Sequence, residues 1–219
     1  MIVNERITAY LNSLEAELPK ELAELEREAL EHQVPIIKKE TQGVLRFLLG
    51  LQQPKRILEV GTAIGFSALF MSEYTGTDCR ITTIEKVAMR LAEAEKNLSD
   101  TRFSGHHKIV LRKGEALEEL KALAEEKEGY DFIFLDAAKA QYMSFLPELM
   151  KLLDTGGMLV TDNVLQDGTV INSRYSITRR DRTIHSRMRE YLYTITHMEE
   201  LDTVILPVGD GIALSRRLA

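Results

Sequence analysis

Two short stretches carry side chains that could do chemistry together. Asp136-Ala137-Ala138-Lys139 closes one apolar run, Tyr130-Asp131-Phe132-Ile133-Phe134-Leu135, and Asp162-Asn163 closes another, Met158-Leu159-Val160-Thr161. Two carboxylates and an amide oxygen make an all-oxygen set suited to a hard cation such as Mg²⁺, which keeps water or substrate oxygens in its other positions. Lys139 stands three residues beyond Asp136, within reach of a substrate oxygen at such a cation. A nearby cation lowers a lysine's pKa, which makes Lys139 the candidate general base. Each residue also has an ordinary reading, since an acid after a strand often caps a helix and a lysine on a first turn is usually solvated. Their coincidence at neighbouring strand ends is what suggests a site.

A third stretch, Arg56-Ile57-Leu58-Glu59-Val60-Gly61-Thr62-Ala63-Ile64-Gly65-Phe66-Ser67, reads as strand, glycine-rich turn and helix. Glycine lets a ligand approach the backbone without meeting a Cβ, and the helix that follows points unpaired N–H groups at it. The motif is G-x-x-x-G and not the G-x-G-x-x-G of dinucleotide folds, which favours a nucleoside ligand without phosphates. About twenty residues on, the strand Ile81-Thr82-Thr83-Ile84 ends in Glu85, where such folds grip a ribose diol. Gly114-Glu115-Ala116, after a third strand, stands where the far edge of a nucleoside would be met.

These residues need a scaffold that brings strand ends together, and the pattern supplies one. From residue 56 it alternates: strand 56–61, helix 65–75, strand 80–85, helix 87–98, strand 107–112, helix 115–126, strand 130–136, helix 141–152, strand 156–162. Such alternation predicts right-handed crossovers and an α/β fold with a parallel sheet covered on both faces, its ligands at the carboxyl ends of the strands where strand order reverses. A helix at 178–196 precedes strands 201–207 and 211–217, which the Val208-Gly209-Asp210-Gly211 turn makes an antiparallel hairpin. Upstream, helices at 2–18 and 19–33, the second opened by Pro19, are followed by the link His32-Gln33-Val34-Pro35-Ile36-Ile37 and a helix at 38–51. The link is expected beside the glycine turn, because the helix after it returns directly to the first strand.

Composition narrows the class. The chain has 219 residues, 44% of them hydrophobic, and no run of eighteen apolar residues or signal-peptide pattern, so a cytoplasmic protein without a membrane partner is expected. A single cysteine, Cys79, excludes an internal disulfide and has no metal-spaced neighbour. The net charge of −6 argues against wholesale binding to nucleic acid. Its distribution is uneven, however: Arg174, Arg179, Arg180, Arg182, Arg187 and Arg189 face only Asp181 and Glu190 between residues 172 and 191. That segment is either a solvated face or a patch that tracks phosphates.

Taken together, Glu59 to Gly65, Glu85, Gly114-Glu115-Ala116, Asp136-Ala137-Ala138-Lys139 and Asp162-Asn163 resemble the cation-dependent S-adenosylmethionine O-methyltransferases of the catechol and caffeoyl-CoA type. The resemblance covers nearly the whole chain. It implies a Rossmann-like class I methyltransferase fold, a mostly parallel seven-stranded sheet with a C-terminal antiparallel hairpin, in one domain spanning 1–219 whose helices over 1–53 cap the cofactor side. It also implies S-adenosylmethionine bordered by Gly61 and Ser67, with its ribose on Glu85, its adenine flanked by Glu115 and Ala116, and Ile37 and Asp136 in contact with it. Mg²⁺ would be held by Asp136, Asp162 and Asn163, and Lys139 would be the base. A homodimer is implied as well.

Within that family, His32-Gln33-Val34-Pro35-Ile36, Asp136 to Tyr142, Thr161 to Leu165, the arginine-rich stretch and Pro207 to Gly211 are most similar to the bacterial tRNA 5-hydroxyuridine methyltransferases. By that similarity the partner is a tRNA anticodon loop, held by Arg174, Arg179, Arg180 and Arg182, and the product is 5-methoxyuridine at the wobble position. The chemistry agrees, because 5-hydroxyuridine presents its hydroxyl beside a ring carbonyl, the same adjacent oxygen pair as a catechol. The chain has no tryptophan, whereas tryptophans wall the catechol site of the animal enzymes. Small catechols or hydroxycinnamoyl thioesters stay open as acceptors, as does, in a different class, a nucleotide-dependent oxidoreductase or ligand-binding module on the same sheet.

Overall fold

A computed structural model describes residues 3–103, 108–173, 175–178 and 181–219. Seven strands form one sheet in the order β3-β2-β1-β4-β5-β7-β6. β1 (Arg56–Val60), β2 (Arg80–Glu85), β3 (Ile109–Lys113), β4 (Tyr130–Leu135) and β5 (Leu153–Thr161) are parallel to their neighbours among themselves. β6 (Leu201–Leu206) and β7 (Ile212–Arg217) make the expected hairpin, and β7 inserts antiparallel beside β5. The parallel core is what the alternating pattern predicts, and the whole is the Rossmann-like arrangement that the resemblance implies. Strand order reverses at β1, which pairs with β2 on one side and β4 on the other, so the crevice for a ligand opens beyond Val60 and Leu135.

Eight α-helices accompany the sheet among the described residues: α1 (Glu5–Leu14), α2 (Lys20–Glu31), α3 (Lys39–Gln52), α4 (Phe66–Glu73), α5 (Ala88–Leu98), α6 (Ala116–Glu125), α7 (Tyr142–Leu152) and α8 (Arg182–His197). The period-2 alternation of the buried strands sorts their side chains to two cores. Leu58, Val60, Ile133, Leu135 and Leu159 pack with α6, α7 and α8. Ile57, Phe132, Phe134 and Val160 pack with α2, α3 and α4. A one-residue slip of any of these strands would exchange the two sets. α3 ends with Gln53 in the left-handed region (φ 47°) just before Pro54, a helix stop that leads straight into β1.

Beyond shifts such as β3 starting at Ile109 and not 107, and α8 at Arg182 and not 178, with 107 and 179–180 outside the described residues, three features differ from expectation for physical reasons. β5 begins at Leu153, three residues early, because Leu153 pairs with Tyr130 across a register shift and Gly156 (φ 80°) accommodates the irregularity. A 3-10 turn, Gln166–Ile171, occupies what reads as plain loop after Asn163. α1 is confined to Glu5–Leu14 and starts where the Asn4 side chain accepts from the N–H of Arg6 at 2.9 Å. No helix among the described residues is long and apolar enough to cross a membrane.

Candidate active site

The glycine turn is built by backbone. Gly61 has φ 109°, and a Cβ there would lie 2.0 Å from the carbonyl oxygen of Asp136, so only glycine lets the two strand ends meet. Asp136 N–H in turn donates to Val60 O at 3.0 Å. Gly65, at φ 87°, precedes α4, and its N–H closes the turn on Thr62 O at 2.8 Å. From outside, the Asn97 amide donates to Ile64 O at 2.8 Å.

Glu85 fastens this turn to the end of β2. Its Oε2 accepts from Ala63 N–H at 2.9 Å, and its Oε1 accepts from Lys86 and Val87 N–H at 2.8 and 2.9 Å. A carboxylate so held has a fixed direction and keeps lone pairs toward the cavity. Beneath the turn lies a residue to which the sequence reading gave no separate role. Glu59 is fully buried and its Oε2 accepts from Thr83, which also pairs with Thr62. Burial pushes its carboxyl up to about 7, opposed by the hydroxyls of Ser67 and Thr83.

At the neighbouring strand ends stand the acids. Asp162 is 3% exposed, and its N–H donates to Leu135 O at 3.0 Å. Burial first, and then the charge of Asp136, raise its pKa, while the N–H of Asn163 opposes the shift. Asp136 is raised too, again chiefly by burial, against a hydrogen bond from the Asn163 amide at 2.9 Å and the charge of Lys139. Asn163 takes a left-handed conformation (φ 62°) that turns it back toward Asp136. Tyr142 donates to Asp162 O at 3.3 Å and packs edge-on to Tyr191, which shares a hydrogen bond with Thr161. The acids are thereby propped from the core side. Lys139 opens a 3-10 turn, Lys139–Gln141, ahead of α7 and is half-buried.

A cavity of about 670 Å³ joins these parts, a volume usual for a small-molecule or cofactor site. Ile37, Gly61, Ser67, Glu85, Glu115, Ala116, Asp136, Lys139, Asp162 and Asn163 all line it, so every cofactor, metal and base position read from the sequence comes together in one place. The link Val34–Ile37 lies across the glycine turn as expected, with Ile37 buried. Glu115 pairs with Lys86 at 3.1 Å on the cavity rim. Leu30, Val87, Phe145 and Asp210 also line it, a place the sequence reading does not give them; Leu30, on α2, carries no local motif, and the turn motif around Asp210 marks a hairpin and not a cavity wall. Two other clefts lie outside it, one of about 770 Å³ among α1, α2 and α3 and one of about 740 Å³ between α1, α3 and the β6–β7 hairpin.

Among the described residues no three His, Cys, Asp or Glu side chains are placed to hold a metal ion. Two carboxylates raised by burial, Asp162 also by the charge of Asp136 and both by that of Asp210, are nonetheless a donor set that a cation would relieve. The Asn163 amide, which now donates to Asp136, would have to turn over to present its oxygen. The residues fit a hard cation on that condition.

Of the arginines, Arg174, Arg179 and Arg180 lie outside the described residues. Arg182 starts α8, partly buried, with Nε lacking a hydrogen-bond partner. Arg187 donates to Ala140 O at 2.8 Å, which docks α8 on the turn that carries Lys139.

The strand order, the glycine turn and the acids at the crevice define a Rossmann-like methyltransferase. The sequence model of one family, described as O-methyltransferase, matches residues 12–218, and the chain belongs to that family, among its S-adenosylmethionine-dependent members of the catechol and caffeoyl-CoA type. It is 31% identical over 179 residues to caffeoyl-CoA O-methyltransferase 5 of Nicotiana tabacum, covering 80% of this chain and 73% of that one. It is 34% identical over 129 residues to a catechol O-methyltransferase of Niastella koreensis, covering 58% of each. A crystal structure from Staphylococcus aureus, provisionally named a caffeoyl-CoA O-methyltransferase, superposes with a TM-score of 0.88 at 29% identity, covering 97% of this chain and all of that one.

Proposed function

We propose that this chain methylates one oxygen of an adjacent oxygen pair, using S-adenosylmethionine and a divalent cation, and that its acceptor is 5-hydroxyuridine in a tRNA anticodon loop. The observation that carries the chemistry is the meeting of Asp136, Asp162 and Lys139 with the glycine turn in one cavity. In this reading the turn from Gly61 to Ser67 takes the methionine part of the donor, Glu85 accepts from the ribose hydroxyls, and Glu115 with Ala116 borders the adenine. Ile37 and the link close the donor side and limit the access of water. Asp136, Asp162 and Asn163 would hold Mg²⁺, which when bound makes a weakly acidic hydroxyl easier to ionise. Lys139 removes the proton from that hydroxyl, and the rigid strand ends align acceptor oxygen and methyl group for in-line transfer.

For the acceptor, support comes from the arginine content of residues 172–191 and from the docking of α8. Arg187 ties α8, which begins with Arg182, to Ala140, next to Lys139, and in this reading the basic segment meets the single-stranded loop that delivers the base. The absence of tryptophan points the same way. The names of the relatives from tobacco and Niastella favour the second reading, a small catechol or a hydroxycinnamoyl thioester as acceptor. In either case the chain acts as one domain and as a homodimer; the exposed Ile7, Tyr10, Leu11 and Leu14 of α1 are apolar surface for a second copy to cover.

Mass analysis of tRNA nucleosides from cells lacking the gene, alongside assays of the purified chain on hydroxyuridine-containing tRNA and on caffeoyl-CoA, tests the choice. Loss of 5-methoxyuridine from the cells and turnover on tRNA are expected. Turnover on caffeoyl-CoA with unchanged tRNA would leave the small-molecule enzyme.

A further inference from the structure

Asp210 lies in the turn between β6 and β7 and lines the same cavity as Asp136 and Asp162. The glycines on either side have φ 55° and 89°, a tight backbone shape that carries Asp210 inward. Its main chain faces the acceptor side. Asp210 O accepts from Leu165 N–H at 2.9 Å and from Gln166 N–H at 3.1 Å, and Gly211 O accepts from Val164 N–H at 2.9 Å, so this turn sets the course of the chain just after Asn163. A Cβ on Gly211 would lie 2.4 Å from the Leu165 side chain, which shows how closely the two segments are packed.

Its side chain reaches the other way. Oδ1 accepts from Lys38 Nζ at 2.6 Å, and Lys38 directly follows Ile37, the buried end of the link over the glycine turn. Gly209 packs against the next turn of the same helix, where a Cβ would lie 3.0 Å from Thr41 Oγ1. On its α2 and α3 side the link is held by Val34 N–H on Ala29 O at 2.8 Å and by the Gln42 amide on Ile37 O at 3.0 Å. The Lys38 contact holds it toward the hairpin. The positive charge of Lys38 also offsets a carboxylate that bears on Asp136 and Asp162. The Asp210 side chain is 19% exposed and that of Lys38 46%, so the pair is half-buried and its weight lies in holding the link in place more than in Coulomb energy.

We propose that Asp210 is a positioning residue for methyl transfer, its pair with Lys38 holding the cofactor wall of the cavity against the acceptor wall. The inference rests on the reading that the cavity takes S-adenosylmethionine. Breaking the pair should loosen the donor side while the backbone bonds of residue 210 continue to shape the acceptor side. Lys38→Met and Asp210→Asn are each expected to weaken S-adenosylhomocysteine binding and raise the KM for S-adenosylmethionine about tenfold, with kcat at saturating donor kept within about twofold. The double variant should lose no more than either single one, and Lys38→Arg should keep most of the affinity. Calorimetric titration of the full chain with S-adenosylhomocysteine, with steady-state kinetics and a thermal midpoint for each variant, measures all of this. Silent single variants, losses that multiply in the double variant, or a fall in kcat at constant KM would overturn the inference while the cofactor reading stands. Failure of the unaltered chain to bind S-adenosylhomocysteine would overturn both.

Discussion

The two walls of the cavity are made differently. The cofactor wall is backbone: Gly61 and Gly65 at positive φ, three N–H groups converging on Glu85, and a buried glutamate bonded to Thr83 beneath. The acceptor wall after β5 is side chain and irregular turn. Asn163 and Gln166 are left-handed, and behind them Gln166 Nε2, Arg182 Nε and His185 Nδ1 are buried without hydrogen-bond partners, as are Thr41 Oγ1 and Glu59 Oε1 on the other side. Leaving a buried polar atom unpaired typically costs about 1–3 kcal/mol. A wall set by backbone holds one fixed shape, whereas a wall set by side chains on an irregular turn can be altered by single substitutions that leave the strand ends in place.

The contrast can be broken most severely at Gly61. Gly61→Ala would drive a Cβ into Asp136 O and force a residue with a side chain to φ 109°, disturbing both strand ends at once. Loss of both S-adenosylhomocysteine binding and turnover is expected, with destabilisation of about 3 kcal/mol or more, measured by calorimetry and thermal unfolding. Normal cofactor binding in this variant would show that the close approach is dispensable.

At the acids the expected loss is confined to chemistry. Asp136→Ala, or excess EDTA on the unaltered protein, should abolish turnover and leave the fold intact, because an oxygen-only site weakens with each charged ligand removed. Full activity in chelator would reduce Asp136 and Asp162 to structural acids. Lys139→Met should lower kcat about 10²–10⁴-fold with little change in cofactor affinity, read from single-turnover rates beside titrations. An unaltered rate and pH profile would return Lys139 to an ordinary first-turn lysine.

The smallest and most selective effect is expected from the arginine-rich segment. Replacing Arg179, Arg180 and Arg182 together with alanine should raise the KM for hydroxyuridine-containing tRNA and flatten its salt dependence by about one unit per lost phosphate contact. Methylation of a free catechol should barely change. Equal losses on both acceptors would remove the distinction between the walls.

How much of this was legible before the fold was known follows from the same contrast. The strands β1, β2, β4, β6 and β7 fall within a residue of their sequence expectations, since buried alternation and the glycine turns are local signals. The early start of β5 was not legible, because it depends on Leu153 finding Tyr130 on another strand. Nor was the 3-10 turn at Gln166–Ile171, whose first N–H is held by Asp210 from the far hairpin.

The sequence by itself determined that a glycine turn, an acid after β2 and an Asp-Lys, Asp-Asn set lie at the carboxyl ends of parallel strands, because residue type and strand period are written in the chain. Tertiary structure alone decided that Asp210 and Lys38 join the two sides of the cavity, that Glu59 is buried under the turn, and that Arg187 seats α8 beside Lys139. Those contacts link segments far apart in the chain, and no local pattern encodes a partner that only packing brings within hydrogen-bond reach.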